Sequence, residues 1–350
     1  MKKLLLLLTL LLLPTPVMAW SDTAKSSLVM DIDSGRVLYE HNADEQRLIA
    51  SITKIMTAVI AIENGDLDDI VTAGDEVLKM YGTSIYIQKG EQMSLEDLLY
   101  GLMLRSGNDA AVVIAKHISG SEEEFVSLMN QKAKEIGMKN TIFHNAHGLD
   151  EETKNYSTAR DMALLSSYAY KNLDVYKEIV GTYKHEVQTK DKSYLWYNRN
   201  KLLKLDDTCT GGKNGYTPSA GKTLVTTFEK DNLRITVVSL KDGNEYENHQ
   251  QLASQIFDTY SAYQIIDKDQ FQIVDEDLNG TAYVKQSFRY PLSEEEAQNV
   301  SVLAKIDPTI KTGKIGYVEV KLKQQQLTKI PIYLKEKKTT KKGFFARLFS

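Results

Sequence analysis

The chain has 350 residues, 42% hydrophobic and 26% charged, which suffices for a sizeable core and excludes intrinsic disorder. Its 43 basic and 47 acidic side chains give a formal charge of -4, which excludes the polycationic surface that nucleic-acid binding requires. One cysteine excludes an internal disulfide framework and every multi-cysteine zinc or iron-sulfur site.

In chain order, the first segment joins Lys2 and Lys3 to a leucine run, Leu4 to Leu13, and a small-residue exit at Val17-Met18-Ala19. This pattern predicts a secretory signal peptide over residues 1–19, cleaved after Ala19. The apolar run is only half of the roughly 20 residues that a membrane-spanning helix needs. Cleavage removes two lysines and takes the formal charge to -6. From Ser27 the residues alternate as a strand, turn at Asp33-Ser34-Gly35 and return to Glu40, which predicts a hairpin.

Ile52, Ile55, Met56, Val59 and Ile60 then recur at helical spacing up to Asn64-Gly65. A second helix is expected from the capping pattern at Ser94 to Asp97, carrying Leu98, Leu99, Leu102 and Met103. Ser106-Gly107-Asn108 breaks it from a third apolar run, Ala110 to Ile118, and helices are expected to dominate to about Leu173. Strands follow: Lys213 to Tyr216, Thr223 to Glu229 and Leu233 to Leu240, closed by a helix around Gln250 to Tyr263. Short alternating strands from Asp267 to Leu334 predict a small β domain. The tail from Lys335 to Ser350 holds six basic residues against Glu336, and Phe344, Phe345, Leu348 and Phe349 share one helical face. This is the pattern of an interfacial membrane anchor.

A nucleophilic serine needs a base within reach, and Ser51-Ile52-Thr53-Lys54 places a hydroxyl and an amine one helical turn apart. Ser219-Ala220-Gly221-Lys222 has the same spacing but lies in a loop. Ser106-Gly107-Asn108 adds a hydroxyl and an amide at a helix junction, and Lys213-Asn214-Gly215 opens a strand. In this order and spacing the chain resembles the low-molecular-mass penicillin-binding proteins, serine-type D-alanyl-D-alanine carboxypeptidases. The resemblance extends over Gly82-Thr83-Ser84-Ile85-Tyr86, His147-Gly148-Leu149-Asp150, Thr158-Ala159-Arg160-Asp161 and Gly215-Tyr216-Thr217.

The resemblance implies an α/β (α+β) penicillin-binding domain, a central antiparallel sheet flanked by helices, over residues 20–264. A C-terminal β domain would span 265–334 and the anchor 335–350. Ser51 would attack the carbonyl between two terminal D-alanines while Lys54, its pKa lowered by burial and by Lys213, takes the proton. Ser106 would relay a proton to the leaving D-alanine, Asn108 would hold the substrate amide, and Lys213 would attract the terminal carboxylate. The backbone N–H groups of Ser51 and Tyr216 would form the oxyanion hole. No cofactor or metal is implied. The implied partners are peptidoglycan stem peptides, β-lactams as inhibitors and the membrane surface, at the outer face of the cytoplasmic membrane. The family pattern is Lys-Thr-Gly, and Asn214 occupies the hydroxyl position here, so weaker carboxylate recognition is expected.

A literal Lys311-Thr312-Gly313 lies in the β domain without the Tyr-Thr that follows Lys213-Asn214-Gly215. Gly215 to Thr223 has one residue too many for a phosphate-binding loop. His144 and His147 lack further zinc ligands nearby in sequence, and Cys209 has no histidine partner there. Two other functions stay open: a serine β-lactamase using Glu151 and Asn155, and a non-catalytic peptidoglycan-binding protein, for which Asn214 is the argument.

Overall fold

The structure is a computed structural model and describes residues 21–273, 278 and 280–336. The expected signal peptide and the tail from residue 337 lie outside the described residues. Among the described residues no helix is long and apolar enough to cross a membrane.

The opening hairpin forms as expected, with strands β1 (Ala24–Asp31) and β2 (Val37–His41) paired antiparallel. A one-turn 3-10 helix, Ala50–Thr53, leads into helix α1 (Lys54–Asn64), so the regular helix begins at Lys54, two residues after the first apolar residue of the periodic run, Ile52. Helix α2 (Leu95–Leu104) starts on Ser94, whose hydroxyl accepts the Asp97 N–H. Helices α3 (Asn108–Ser119), α4 (Glu122–Ile136), α5 (Ala159–Asn172) and α6 (Asp174–Gly181) follow. Between α4 and α5 the chain is not helical, contrary to expectation. It runs as an irregular loop whose turns are held by buried asparagine side chains.

A hairpin absent from the sequence reading, Lys184–Gln188 with Ser193–Tyr197, precedes the sheet strands. These are β3 (Cys209–Thr217), β4 (Gly221–Lys230) and β5 (Leu233–Asp242); β3 begins before the expected start at Lys213, because Gly211 and Gly212 already pair with Thr227 and Thr226 of β4. Together with the opening hairpin they make a five-stranded antiparallel sheet in the order β2-β1-β5-β4-β3. Residue parity divides its two faces. Leu28, Met30, Val225, Val238 and Leu240 join the core packed with the helices α1 to α6. Val29, Leu224, Phe228, Ile235 and Val237 pack with Leu252, Ala253 and Ile256 of helix α7 (Glu245–Thr259). A sheet covered on both faces reads as continuous apolar runs, and this is why β4 and β5 were legible as strands.

Helix α7 ends at Thr259, short of the expected Tyr263. Ser261–Ile266 instead forms a strand that pairs with Phe288–Leu292. A four-stranded antiparallel sheet built from Gly280–Val284, Val300–Ile306, Gly313–Leu322 and Gln325–Glu336 has its own apolar cluster. The opening hairpin reaches this region through Arg36, which pairs with Glu296 at 2.5 Å, donates to the Pro291 carbonyl at 2.6 Å and lies over the rings of Tyr260 and Tyr290. Lys311-Thr312-Gly313 sits at the exposed start of a strand of this sheet.

Candidate active site

The turn that carries Ser51 is held from two sides. Ala50 adopts φ +50°, an unusual conformation for a residue with a side chain. Gly148 packs directly against it: a Cβ there would stand 2.1 Å from the Ala50 carbonyl oxygen, and its φ is +88°. From the sheet, Thr223 Oγ1 donates to the Ile49 carbonyl at 3.0 Å. Gly215 lies so close that a Cβ would stand 2.8 Å from the Ser51 nitrogen.

Lys54 is completely buried. Its Nζ lies 3.1 Å from Ser51 Oγ, 2.7 Å from Asn108 Oδ1 and 2.5 Å from the His147 carbonyl oxygen. Burial pushes its pKa well below the ordinary lysine value; Lys213 and then Arg199 push the same way, and Asp109 opposes them. A neutral Nζ has two N–H groups and one lone pair. Both carbonyl oxygens can only accept, so they take the two N–H groups and the lone pair is left to the Ser51 hydroxyl. In its neutral form Lys54 is thus placed to act as a base toward Ser51.

Asn108 begins α3, and its Nδ2 donates to the Tyr81 carbonyl at 2.8 Å, leaving one amide N–H uncommitted to that bond. Ser106, two residues earlier, is buried at φ +65°. Lys213 is 1% exposed, donates to the Asn214 carbonyl at 2.6 Å and is pushed down to about 7 by burial and then Arg199. Asn214 is half-buried, and Tyr216 is 65% exposed. Their strand, β3, is an edge of the sheet, so the backbone groups on its outer side are open to an added peptide strand. The eight residues singled out from the sequence lie on the Ser51 turn and the start of α1, the α2–α3 junction and β3, and of these Asn108 bonds to Lys54 and Gly215 packs against the Ser51 nitrogen.

The rival serine is resolved by tertiary structure. Lys222 points away to Glu245, with Nζ and Oε2 2.8 Å apart, so the second Ser-x-x-Lys has no base. Cys209 is mostly buried and its thiol is pushed up to about 12 by burial, which leaves it a poor nucleophile. Asn155 turns its amide to Thr53 and Asn145, while Glu151 is exposed and bonded to the Tyr81 hydroxyl, so this pair does not form a water-activating carboxylate site. His147 Nδ1 accepts the Leu149 N–H at 3.0 Å, which places the ring proton on Nε2, 3.7 Å from Glu122 Oε1. Burial and then Lys54 hold His147 down to about 3. A neighbouring cleft of about 730 Å³, lined by Tyr81, Glu122, His147 and Leu149, does not include Ser51.

Arg199 escaped the sequence reading. It is an exposed cation beside both active-site lysines, and a single arginine in a polar stretch carries no local signal. Asp109 was also missed. Its carboxylate accepts the N–H groups of Ile85, Tyr86 and Ile87 and so holds the Gly82 to Tyr86 segment against α3.

A family model described as Peptidase_S11, D-alanyl-D-alanine carboxypeptidase, matches residues 15–244. The chain belongs to this family. It is similar to the D-alanyl-D-alanine carboxypeptidase DacF of Bacillus subtilis, 38% identical over 247 residues covering 69% of this chain and 63% of that protein. It is also similar to DacA of Escherichia coli, 36% identical over 61% of this chain and 54% of that one. The chain thus matches less than two thirds of the length of these relatives. Among solved structures, penicillin binding protein 5 from Haemophilus influenzae aligns with a TM-score of 0.76 at 25% identity, covering 91% of this chain and 98% of that one. Penicillin binding protein 6B from Escherichia coli aligns at 0.73 and 25%, covering 91% and 97%. The expected class, a mixed fold with a central antiparallel sheet flanked by helices and a C-terminal β region, is therefore the fold of this S11 protein.

Proposed function

We propose that the protein is a serine D-alanyl-D-alanine carboxypeptidase that removes the terminal D-alanine from peptidoglycan stem pentapeptides through an acyl-enzyme. The observation that carries this reading is the Lys54 Nζ, buried, bonded to two carbonyl oxygens and 3.1 Å from Ser51 Oγ. The Ser51 oxygen bonds to the carbonyl carbon of the penultimate D-alanine as its proton passes to Lys54. The tetrahedral oxyanion faces the backbone N–H groups of Ser51 and Tyr216, worth roughly 3 kcal/mol per donor. The C–N bond then breaks, the leaving amine takes a proton through Ser106, and water hydrolyses the ester. Asn108 receives the substrate amide, and Lys213 with Arg199 receives the terminal carboxylate. Penicillins acylate the same serine.

The wider reading follows the sequence: secretion through residues 1–19, catalysis in 20–264, a spacer domain over 265–334, and a cationic tail over 335–350 that holds the enzyme at the outer face of the membrane. The test is release of D-alanine from a D-Ala-D-Ala-terminated pentapeptide by the purified chain, with and without benzylpenicillin. Release that penicillin blocks, with the adduct mapped to Ser51, is expected. A folded protein that neither releases D-alanine nor binds penicillin overturns the reading.

Asn214 stands where family members carry a hydroxyl residue, which also supports a second reading, a binding protein without turnover. An Asn amide is longer than a hydroxyl and branched at its end. Asn214→Thr is expected to raise kcat/KM on the same peptide; an unchanged or lower value contradicts a handicap at this position.

A further inference from the structure

Of the three groups around Lys54 Nζ, Ser51 sits on its own turn and Asn108 on a helix, whereas the His147 carbonyl belongs to an irregular loop. No strand or helix ladder sets its direction. Two buried amides do. Asn145 Oδ1 accepts the N–H groups of His147 at 3.2 Å and Gly148 at 2.6 Å, and its Nδ2 donates to the Leu149 carbonyl at 3.0 Å and to Thr153 Oγ1 at 2.8 Å. Asn145 therefore holds the backbone on both sides of the carbonyl that faces Lys54.

Asn155 holds Asn145 in turn. Its Oδ1 accepts the His144 N–H at 2.7 Å and the Asn145 N–H at 3.2 Å, while its Nδ2 donates to Asn145 and, at 3.0 Å, to Thr53 Oγ1. Thr53 immediately precedes Lys54. The loop is thus tied to the turn of chain that carries the base, and Thr57, one turn on, adds a 2.6 Å bond to the Ala146 carbonyl. Asn145, Asn155 and Thr53 are all nearly or wholly inaccessible. Among the described residues none of these hydrogen bonds is to the Ser51 hydroxyl, and the network meets the Ser51 turn through Gly148, which packs on Ala50.

We propose that Thr53, Asn155 and Asn145 are positioning residues that keep the His147 carbonyl on Lys54 and thereby aim its lone pair at Ser51. The inference rests on Lys54 acting as the base. Without the relay the carbonyl drifts, Nζ turns toward water, and the base is both misaimed and better solvated. The charged and titratable groups facing Lys54 are Lys213, Arg199, Asp109 and His147; none of them is removed by changes at Thr53 or Asn155, and only His147 lies on the loop that the relay holds.

The test uses the full chain with Thr53→Val, which keeps the shape and deletes the acceptor, Thr53→Ser, which restores it, and Asn155→Ala. Acylation of Ser51 by a fluorescent penicillin is followed across pH, beside kcat and KM for D-alanine release. Thr53→Val and Asn155→Ala are expected to slow acylation by about tenfold or more, the scale of a misplaced catalytic group, with KM held within about threefold. The acid limb of the profile should move to higher pH, because a better-solvated lysine keeps its proton longer. Thr53→Ser should act like the wild type. Phe228→Leu, a core change against α7, controls for lost stability and should keep wild-type constants per folded molecule. Wild-type rates and limb in Thr53→Val, or no recovery in Thr53→Ser, overturn the relay, and Thr53→Val decides alone if Asn155→Ala does not fold. A wild-type chain that is not acylated overturns the base assignment itself.

Discussion

Ser51→Ala is expected to remove D-alanine release and penicillin labelling together, by about 10⁴-fold or more, as for other nucleophile deletions in serine acyl-transfer enzymes. The side chain is half-buried and, among the described residues, its hydroxyl bonds to Lys54 alone, so the substitution leaves no packing defect. Melting temperature should stay within a few degrees of wild type, which separates lost chemistry from lost fold. Lys54 loses one of three partners, but both carbonyl acceptors remain in place. D-alanine release by a folded Ser51→Ala protein at more than about a hundredth of the wild-type rate would exclude Ser51 as nucleophile. Such a result would direct attention to a water-based hydrolysis.

Lys54→Ala should cost at least about 10³-fold in acylation rate, because general-base assistance and the lowered Ser51 barrier vanish together. Lys54→Arg distinguishes a base from a cation. A guanidinium stays protonated at every accessible pH, so the variant should be as inactive as alanine and should not recover in alkali. The wild-type profile is expected to show the opposite signature. Burial and Lys213 keep Lys54 neutral to lower pH than an ordinary lysine, so activity is lost as pH falls through that depressed pKa. Lys213, held down to about 7 in the free enzyme, loses its charge as pH rises through that value, and carboxylate attraction weakens with it. A bell-shaped kcat/KM profile is the expected result, with its two limbs belonging to the pair of lysines together. Undiminished acylation by Lys54→Arg would exclude proton abstraction by Lys54.

Much of the fold was readable in local patterns. The helices α1, α2 and α3 follow apolar periodicity, and β4 and β5 follow continuous apolar runs, because both faces of the sheet are covered. The extra hairpin at Lys184 to Tyr197 was not, since its charged and aromatic alternation is a weak signal that tertiary packing completes: Tyr194 and Trp196 turn inward while Leu195 and Tyr197 stay exposed. Helix α7 is shorter than its apolar spacing suggests, since Tyr263 continues the Ile256 and Tyr260 periodicity past its end at Thr259. The pairing of that segment with Phe288–Leu292 ends the helix instead.

The sequence by itself determined which residues have the chemistry: a hydroxyl and an amine one turn apart at Ser51 and Lys54, a polar break at Ser106 to Asn108, and a strand lysine at Lys213. These are local facts, and local spacing records them. Only the tertiary structure decided between Ser51 and Ser219, because a base is defined by what surrounds it in space, and Lys222 is turned to Glu245. Tertiary structure likewise lowered the Lys54 pKa, by excluding water and placing Lys213 and Arg199 nearby, and oriented its Nζ through carbonyls that lie 54 and 93 residues away in the chain. Desolvation and hydrogen-bond direction are properties of a packed interior, and no spacing along a sequence encodes them.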